Sequence, residues 1–205
     1  MKKNGHFALV IGVSLIVIPA AAGATAVPEV SGPAFKIKMG EVLKSKRLRN
    51  GKEVTVEAVR LDENTRKVTR SNGCVTTNST EDRYGPNLSW KNCNNRRKWH
   101  SGKLASVDRE GALWPFKVGN KVKYTYTRIN ANGRHFYGAK MSCEVVGTER
   151  VEVVAGKFDT YRIDCAYPKA TRSYWFAPAV NRTVKFEQNH RKRGRTGWQL
   201  VEIVQ

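Results

Sequence analysis

The stretch CEVVGTERVEVVAGKFDTYRIDCAY, residues 143–167, decides the fold. It holds two runs rich in β-branched and aromatic residues on either side of Ala155-Gly156, bounded by Cys143 and Cys165, and reads as a β-hairpin. Side chains alternate between faces along a strand, so the loop length decides whether the two cysteines meet. A two-residue Ala-Gly loop would point them to opposite faces. An odd-numbered loop ending on Gly156 puts Cys143, Val145, Tyr161, Ile163 and Cys165 on one face. A three-residue loop leaves the cysteines diagonal, whereas a five-residue loop over residues 152–156 sets them directly opposite, within reach of a disulfide. That register also brings Glu149 opposite Asp159, a mildly unfavourable pairing of like charges.

The chain on either side has the same grain. Residues 42–49 and 52–61 flank Asn50-Gly51, and residues 66–70 and 74–77 flank Asn72-Gly73, both strong hairpin-turn dipeptides. Residues 121–129 alternate, with Val122, Tyr124 and Tyr126 on one face and Lys121, Lys123, Thr125 and Thr127 on the other, as in a strand with one wet face. Further strands are expected at 174–176, 183–188 (Val184 and Phe186 on one side) and 198–204. About nine strands and no long helical periodicity predict one all-β domain of antiparallel strands: a curved sheet, a sandwich or a partly closed barrel.

The first 26 residues read as a signal peptide. Lys2 and Lys3 precede an apolar run over residues 7–18, and Ala24-Thr25-Ala26 fits a small-residue cleavage site. The run is too short to span a membrane, which takes about 20 residues. The expected organisation is therefore a signal peptide at 1–26, a flexible leader at 27–35 and a β-rich domain at 36–205. Export predicts a location in the periplasm or cell envelope, or release from the cell.

An exported chain with an even number of cysteines predicts disulfides. Cys74, Cys93, Cys143 and Cys165 allow three connectivities, of which Cys74 with Cys93 and Cys143 with Cys165 are favoured because each pair falls within one local stretch. Neither C-x-x-C nor a Cys/His pair at ligand spacing occurs, so no metal site and no cofactor is expected.

The residues resemble a known group. Leu113-Trp114-Pro115-Phe116-Lys117-Val118-Gly119, then Cys143-Glu144-Val145-Val146-Gly147-Thr148-Glu149, then Ala155-Gly156-Lys157-Phe158-Asp159-Thr160-Tyr161, then Tyr174-Trp175-Phe176-Ala177-Pro178 look like a group of uncharacterised secreted bacterial cell-envelope proteins. Gly73-Cys74 and the run from Leu88 to Cys93 extend the likeness. The chain departs from that pattern at Val154 and Val122, where the group more often has proline and tryptophan. The resemblance implies an exported β-domain and brings no catalytic residues with it.

Function has to be read from charge. Lys plus Arg number 37 against 17 Asp plus Glu, a formal +20, and no acid occurs between Glu110 and Glu144. Arg96-Arg97-Lys98 beside Trp99, and Arg191-Lys192-Arg193 with Arg195, form two clusters that predict attraction to an anionic polymer: a glycan, lipopolysaccharide or lipid head groups at a membrane surface. The bland alternative is a solvated basic surface. Nonspecific extracellular nucleic-acid binding is the second reading, set back by the export signal and by the absence of recognised nucleic-acid motifs. A hydrolase with a spatially assembled site is the third. No G-x-S-x-G, S-x-x-K, H-E-x-x-H or phosphate-loop motif occurs, and Glu81 and Asp82 would point to opposite faces of a strand, so a non-catalytic protein is expected. Trp114, Phe116, Phe158, Tyr161, Trp175 and Phe186 are expected to pack the core.

Overall fold

Asn50 and Gly51 both take positive φ, 48° and 77°. This is the backbone of a tight primed turn, whose twist matches that of the strands it joins. Those strands are β1 (Val42–Arg49) and β2 (Lys52–Arg60). The computed structural model describes residues 38–93 and 100–204, so the signal peptide, the leader and the cluster Arg96-Arg97-Lys98 lie outside the described residues.

Ten more strands follow: β3 (Thr65–Arg70), β4 (Val75–Ser79), β5 (Ser89–Lys91), β6 (Gly102–Gly111), β7 (Lys121–Asn130), β8 (His135–Val153), β9 (Gly156–Tyr167), β10 (Ala170–Ala177), β11 (Arg182–His190) and β12 (Gly194–Val204). Each pairs antiparallel with its neighbours in sequence, and β1 pairs with β12 to close a twelve-stranded barrel. The protein is all-β, as expected, with more strands than the nine anticipated. Two were not foreseen: β5 is only three residues long, and β6 runs LASVDRE through its middle with no buried residue to give a regular alternation.

The hairpin of β8 and β9 keeps the cysteines opposite each other by another route. Cys143 faces Cys165 with Cα atoms 4.0 Å apart, and the two are disulfide-bonded. A bulge between Val145 and Gly147 then slips the register by one, so the connection is the short one, with Val153 opposite Gly156. The five-residue loop is thereby corrected. The slip sets Arg150 rather than Glu149 opposite Asp159, and its guanidinium donates to both carboxylate oxygens at 2.7 and 3.0 Å. A repulsive pair becomes a bidentate one, which is a physical reason for the bulge. The second disulfide joins Cys74 and Cys93.

The interior is filled on one side only. Val122, Tyr124 and Tyr126 of β7, Met141, Cys143 and Val145 of β8, and Tyr161, Ile163 and Cys165 of β9 form an apolar wall. Against it pack Tyr84 from the β4–β5 loop and Leu113, Trp114 and Phe116 from the β6–β7 loop, with Phe116 in edge contact with both Trp114 and Phe176. Twelve strands enclose more space than wall side chains alone can fill, so loop residues complete the core. Asp82 secures this plug: the Tyr124 hydroxyl donates to its carboxylate at 2.8 Å and Arg109 pairs with it at 3.2 Å. A second apolar cluster, with Val151, Val153, Trp175, Ala177, Val184 and Leu200, forms where the β8–β9 hairpin end meets β12 through the Ala155 N–H and the Leu200 carbonyl. A bulge between Trp175 and Phe176 sends Val184 into that cluster and Phe186 elsewhere, so the two do not share a side as expected.

Candidate functional site

Against β1 to β4 and β10 to β12 the barrel is left open inside as a cavity of about 440 Å³. Alternation decides what lines it. On β1 the inward residues are Leu43, Ser45, Arg47 and Arg49, and on β3 they are Arg66, Val68 and Arg70. Arg172 on β10, Arg182 at the start of β11 and Arg83 from the β4–β5 loop complete a set of seven arginines. Among the described lining residues there is no aspartate and no glutamate. The neighbouring acids lie on the outer wall, where Lys44 pairs with Glu57 at 3.3 Å, Lys46 with Glu202 at 2.7 Å and Lys121 with Glu144 at 3.1 Å.

Five of these guanidiniums contact neutral groups. Arg47 lies 3.9 Å from the centroid of Trp198, and its Nε is buried without a hydrogen-bond partner. Arg70 Nη1 donates to Cys74 Sγ at 2.9 Å, Arg172 Nε to Gln188 Oε1 at 2.8 Å, Arg182 Nε to the Val180 carbonyl at 3.2 Å and Arg83 Nη1 to the Asn181 carbonyl at 3.4 Å. The Trp198 ring stacks on Phe186, which in turn contacts Tyr174, so one row of cross-strand neighbours on β12, β11 and β10 supports Arg47 from below. Tyr84 reaches the same cavity and hydrogen-bonds Thr183 through its hydroxyl at 3.0 Å.

The electrostatics follow from the lining. Withdrawal from bulk water, with Arg70, Arg66 and Arg182 nearby, pushes the Arg47 guanidinium down to about 9, and burial pushes Arg66 down to about 10. Arg83 falls well below its ordinary value, first through burial and then through Arg66, Arg47 and Arg182, against the opposing influence of Tyr84. Arg70 and Arg182 are lowered by burial as well. Guanidinium releases its proton only at high pH, so at neutral pH the cost is carried mainly as lost hydration, with repulsion between neighbouring guanidiniums added to it. An anion entering the cavity would relieve it.

Strand direction sets which turns share an end of the barrel. The β1–β2, β3–β4, β9–β10 and β11–β12 turns all lie at one end of the barrel, because every neighbouring pair is antiparallel. Arg49 and Asn72 line the cavity at that end. The expected cluster Arg191, Lys192, Arg193 and Arg195 sits there too, exposed on and beside the β11–β12 turn, with Arg195 paired to Glu187 at 3.3 Å. Cys74 and Cys93 line the cavity, whereas Cys143 and Cys165 belong to the apolar wall. Of the expected core rings, Phe116, Tyr161 and Trp175 are buried, while Phe186 faces the cavity.

Three described histidines are engaged locally. His100 contacts the Ser101 hydroxyl, His135 stacks on Tyr137 and His190 Nδ1 accepts from the Lys192 N–H. Glu81 is exposed beside Asp82 in a loop rather than in a strand. Among the described residues no group of three or more His, Cys, Asp or Glu side chains is placed to hold a metal ion, and no helix is long and apolar enough to cross a membrane.

The sequence reading missed the cavity arginines. Their signal was Val68 between Arg66 and Arg70 on one face of β3, a charged face that looks solvent-directed until the barrel is known to be wide enough to be wet inside.

No protein-family model matches the chain, and no functionally curated protein is similar to it in sequence. Among solved structures it is similar to the hypothetical lipoprotein YmcC from Escherichia coli K12, at 11% identity over 80% of this chain and 85% of that one, with a TM-score of 0.48. It is also similar to a candidate exported protein with YmcC-like fold from Bacteroides fragilis, at 16% identity over 83% and 98% of the two chains and a TM-score of 0.36. A candidate lipoprotein from Parabacteroides distasonis matches at 15% identity over 85% and 100%, with a TM-score of 0.35.

Proposed function

We propose that the chain is an exported, non-catalytic protein of the cell envelope that binds an anionic polymer, a glycan or lipopolysaccharide, by drawing an acidic group into the arginine-lined cavity. The observation that carries this reading is the cavity itself, with seven arginines and no acid among its described lining residues. A soluble protein rarely holds charges of one sign together out of bulk water, because each adds a desolvation cost that only a counter-charge offsets. The basic turn at residues 191–195 then serves as the outer collector, raising the local concentration of anions at the mouth. Export rests on the N-terminal pattern of Lys2, Lys3, the apolar run and Ala24-Thr25-Ala26. It is supported by the two disulfides, which persist in oxidising compartments.

The test is retention of the mature, oxidised protein on lipopolysaccharide, an acidic glycan and duplex DNA across a salt series, beside an unrelated basic protein of similar charge. Retention of one envelope polymer at salt that releases the control supports the reading. Release together with the control from every surface contradicts it, and selective retention on DNA would favour the nucleic-acid alternative.

A further inference from the structure

We infer that the group held in the cavity is a compact, multiply charged phosphate, a diphosphate or a pair of phosphates on one carrier, rather than a run of single carboxylates. This rests on the reading of the cavity as an anion site and names its ligand chemistry. Arg47, Arg66, Arg70, Arg83 and Arg182 come from four separate stretches of chain and converge on one space of about 440 Å³. An acidic saccharide brings one carboxylate per ring, so few charges fit into that volume. A diphosphate brings several charges within a few ångströms. Each phosphate also offers three acceptor oxygens to guanidinium forks, where a carboxylate offers two and is satisfied by a single fork.

Two of these arginines show donors suited to that purpose. Arg47 Nε is buried with no hydrogen-bond partner, and the guanidinium is held in place by the Trp198 ring rather than by a carboxylate that a ligand would have to displace. Arg70 spends one nitrogen on the weak sulfur acceptor of Cys74. A phosphate bound here would exchange such contacts for charge-assisted hydrogen bonds, which are about twice as strong as neutral ones.

Two sources share this chemistry, a soluble polyphosphate-type anion and a phosphorylated lipid head group presented by a membrane. Calorimetric titration of the full exported chain at about 0.15 M salt, where surface charges are screened beyond about 8 Å, would compare orthophosphate, tripolyphosphate and a tetragalacturonate. Sedimentation with phosphatidylcholine vesicles, plain or carrying a diphosphorylated lipid, would separate the sources. Tripolyphosphate is expected to bind roughly tenfold or more tightly than orthophosphate or tetragalacturonate, about the worth of one added charge-assisted hydrogen bond. Arg47→Gln with Arg66→Gln is expected to remove that advantage, and Lys121→Gln with Lys123→Gln on the outer wall to preserve it. Tryptophan emission should shift on binding, and Trp198→Phe, which leaves the other four of the chain's five tryptophans in place, should remove most of that shift. Co-sedimentation with the phosphorylated vesicles alone assigns a membrane source, and its absence beside tight tripolyphosphate binding assigns a soluble one. Tetragalacturonate binding as tightly as tripolyphosphate would overturn the phosphate inference while leaving the anion site standing. No binding by any of these anions would overturn both.

Discussion

Arg47 lies over the indole of Trp198, 3.9 Å from the ring centroid, inside a barrel whose described cavity lining contains no carboxylate. The ring fixes the direction of the guanidinium without neutralising it. Trp198→Leu should therefore weaken anion binding by removing a cation–π contact worth roughly 0.5–2 kcal/mol, or about two- to thirtyfold in affinity. Trp198→Phe should recover much of the loss. Titration of both variants with tripolyphosphate checks this, and equal affinities for Leu and Phe would show that the ring does not position Arg47.

Like charges held together should also cost stability. Arg47→Met keeps the volume, removes one of the repelling groups and should raise the thermal midpoint of the ligand-free protein, by an increment of about 1 kcal/mol or a few degrees. The same variant should lose the stabilisation that saturating tripolyphosphate gives the unmodified chain, about 2.7 kcal/mol at a hundredfold excess over Kd. Scanning calorimetry with and without ligand reads both effects. A lowered midpoint without ligand would mean that Arg47 is a net structural contact.

The two disulfides should separate stability from binding. Each closes a loop of about twenty residues, with separations of 19 and 22, so removing either should cost roughly 3 kcal/mol in the chain-entropy account. Cys143→Ala with Cys165→Ala should lower stability and leave affinity nearly unchanged, because that pair lies in the apolar wall. Cys74→Ala with Cys93→Ala should lower both, since this pair lines the cavity and Cys74 Sγ accepts from Arg70. Denaturant midpoints and titrations on the same samples distinguish the two cases.

Acid should weaken the Arg150–Asp159 pair of the β8–β9 hairpin. The hydrogen bonds from Arg150 hold the Asp159 carboxyl below the usual aspartate value of about 3.9. The folded value is the lower one, so the contribution is complete above pH of about 4 and is lost as pH falls through the folded value. Asp159→Asn should flatten the acid limb of the stability curve below pH 4 and leave neutral stability little changed, since the pair is largely exposed. An unaltered acid limb would show that the pair carries no pH-dependent stability.

Much of this architecture was legible in the sequence, and the same hairpin shows where legibility stops. Strand alternation and an even cysteine count were enough to put Cys143 opposite Cys165. They could not reveal the bulge between Val145 and Gly147, because strand alternation does not rank the two registers and the Arg150–Asp159 pair appears only after the slip. The cavity was hidden for a similar reason. Arg47, Arg66 and Arg70 alternate with outward residues as a wet strand face would, and whether that face looks outward or into a wide lumen depends on closure of all twelve strands. The exposed cluster Arg191 to Arg195 was readable because four basic residues within five positions need no tertiary information to be noticed.

The most direct test compares two variants on one surface. Salt-dependent retention on lipopolysaccharide would be measured for a cavity variant, Arg47→Gln with Arg66→Gln and Arg70→Gln, and for a rim variant, Arg191→Gln with Lys192→Gln and Arg193→Gln. The account predicts that the cavity variant elutes with a basic control protein, while the rim variant is slower to capture but still held at salt that releases the control. A rim variant that elutes with the control beside a cavity variant that stays bound would contradict it, and would move binding from the lumen to the outer turns.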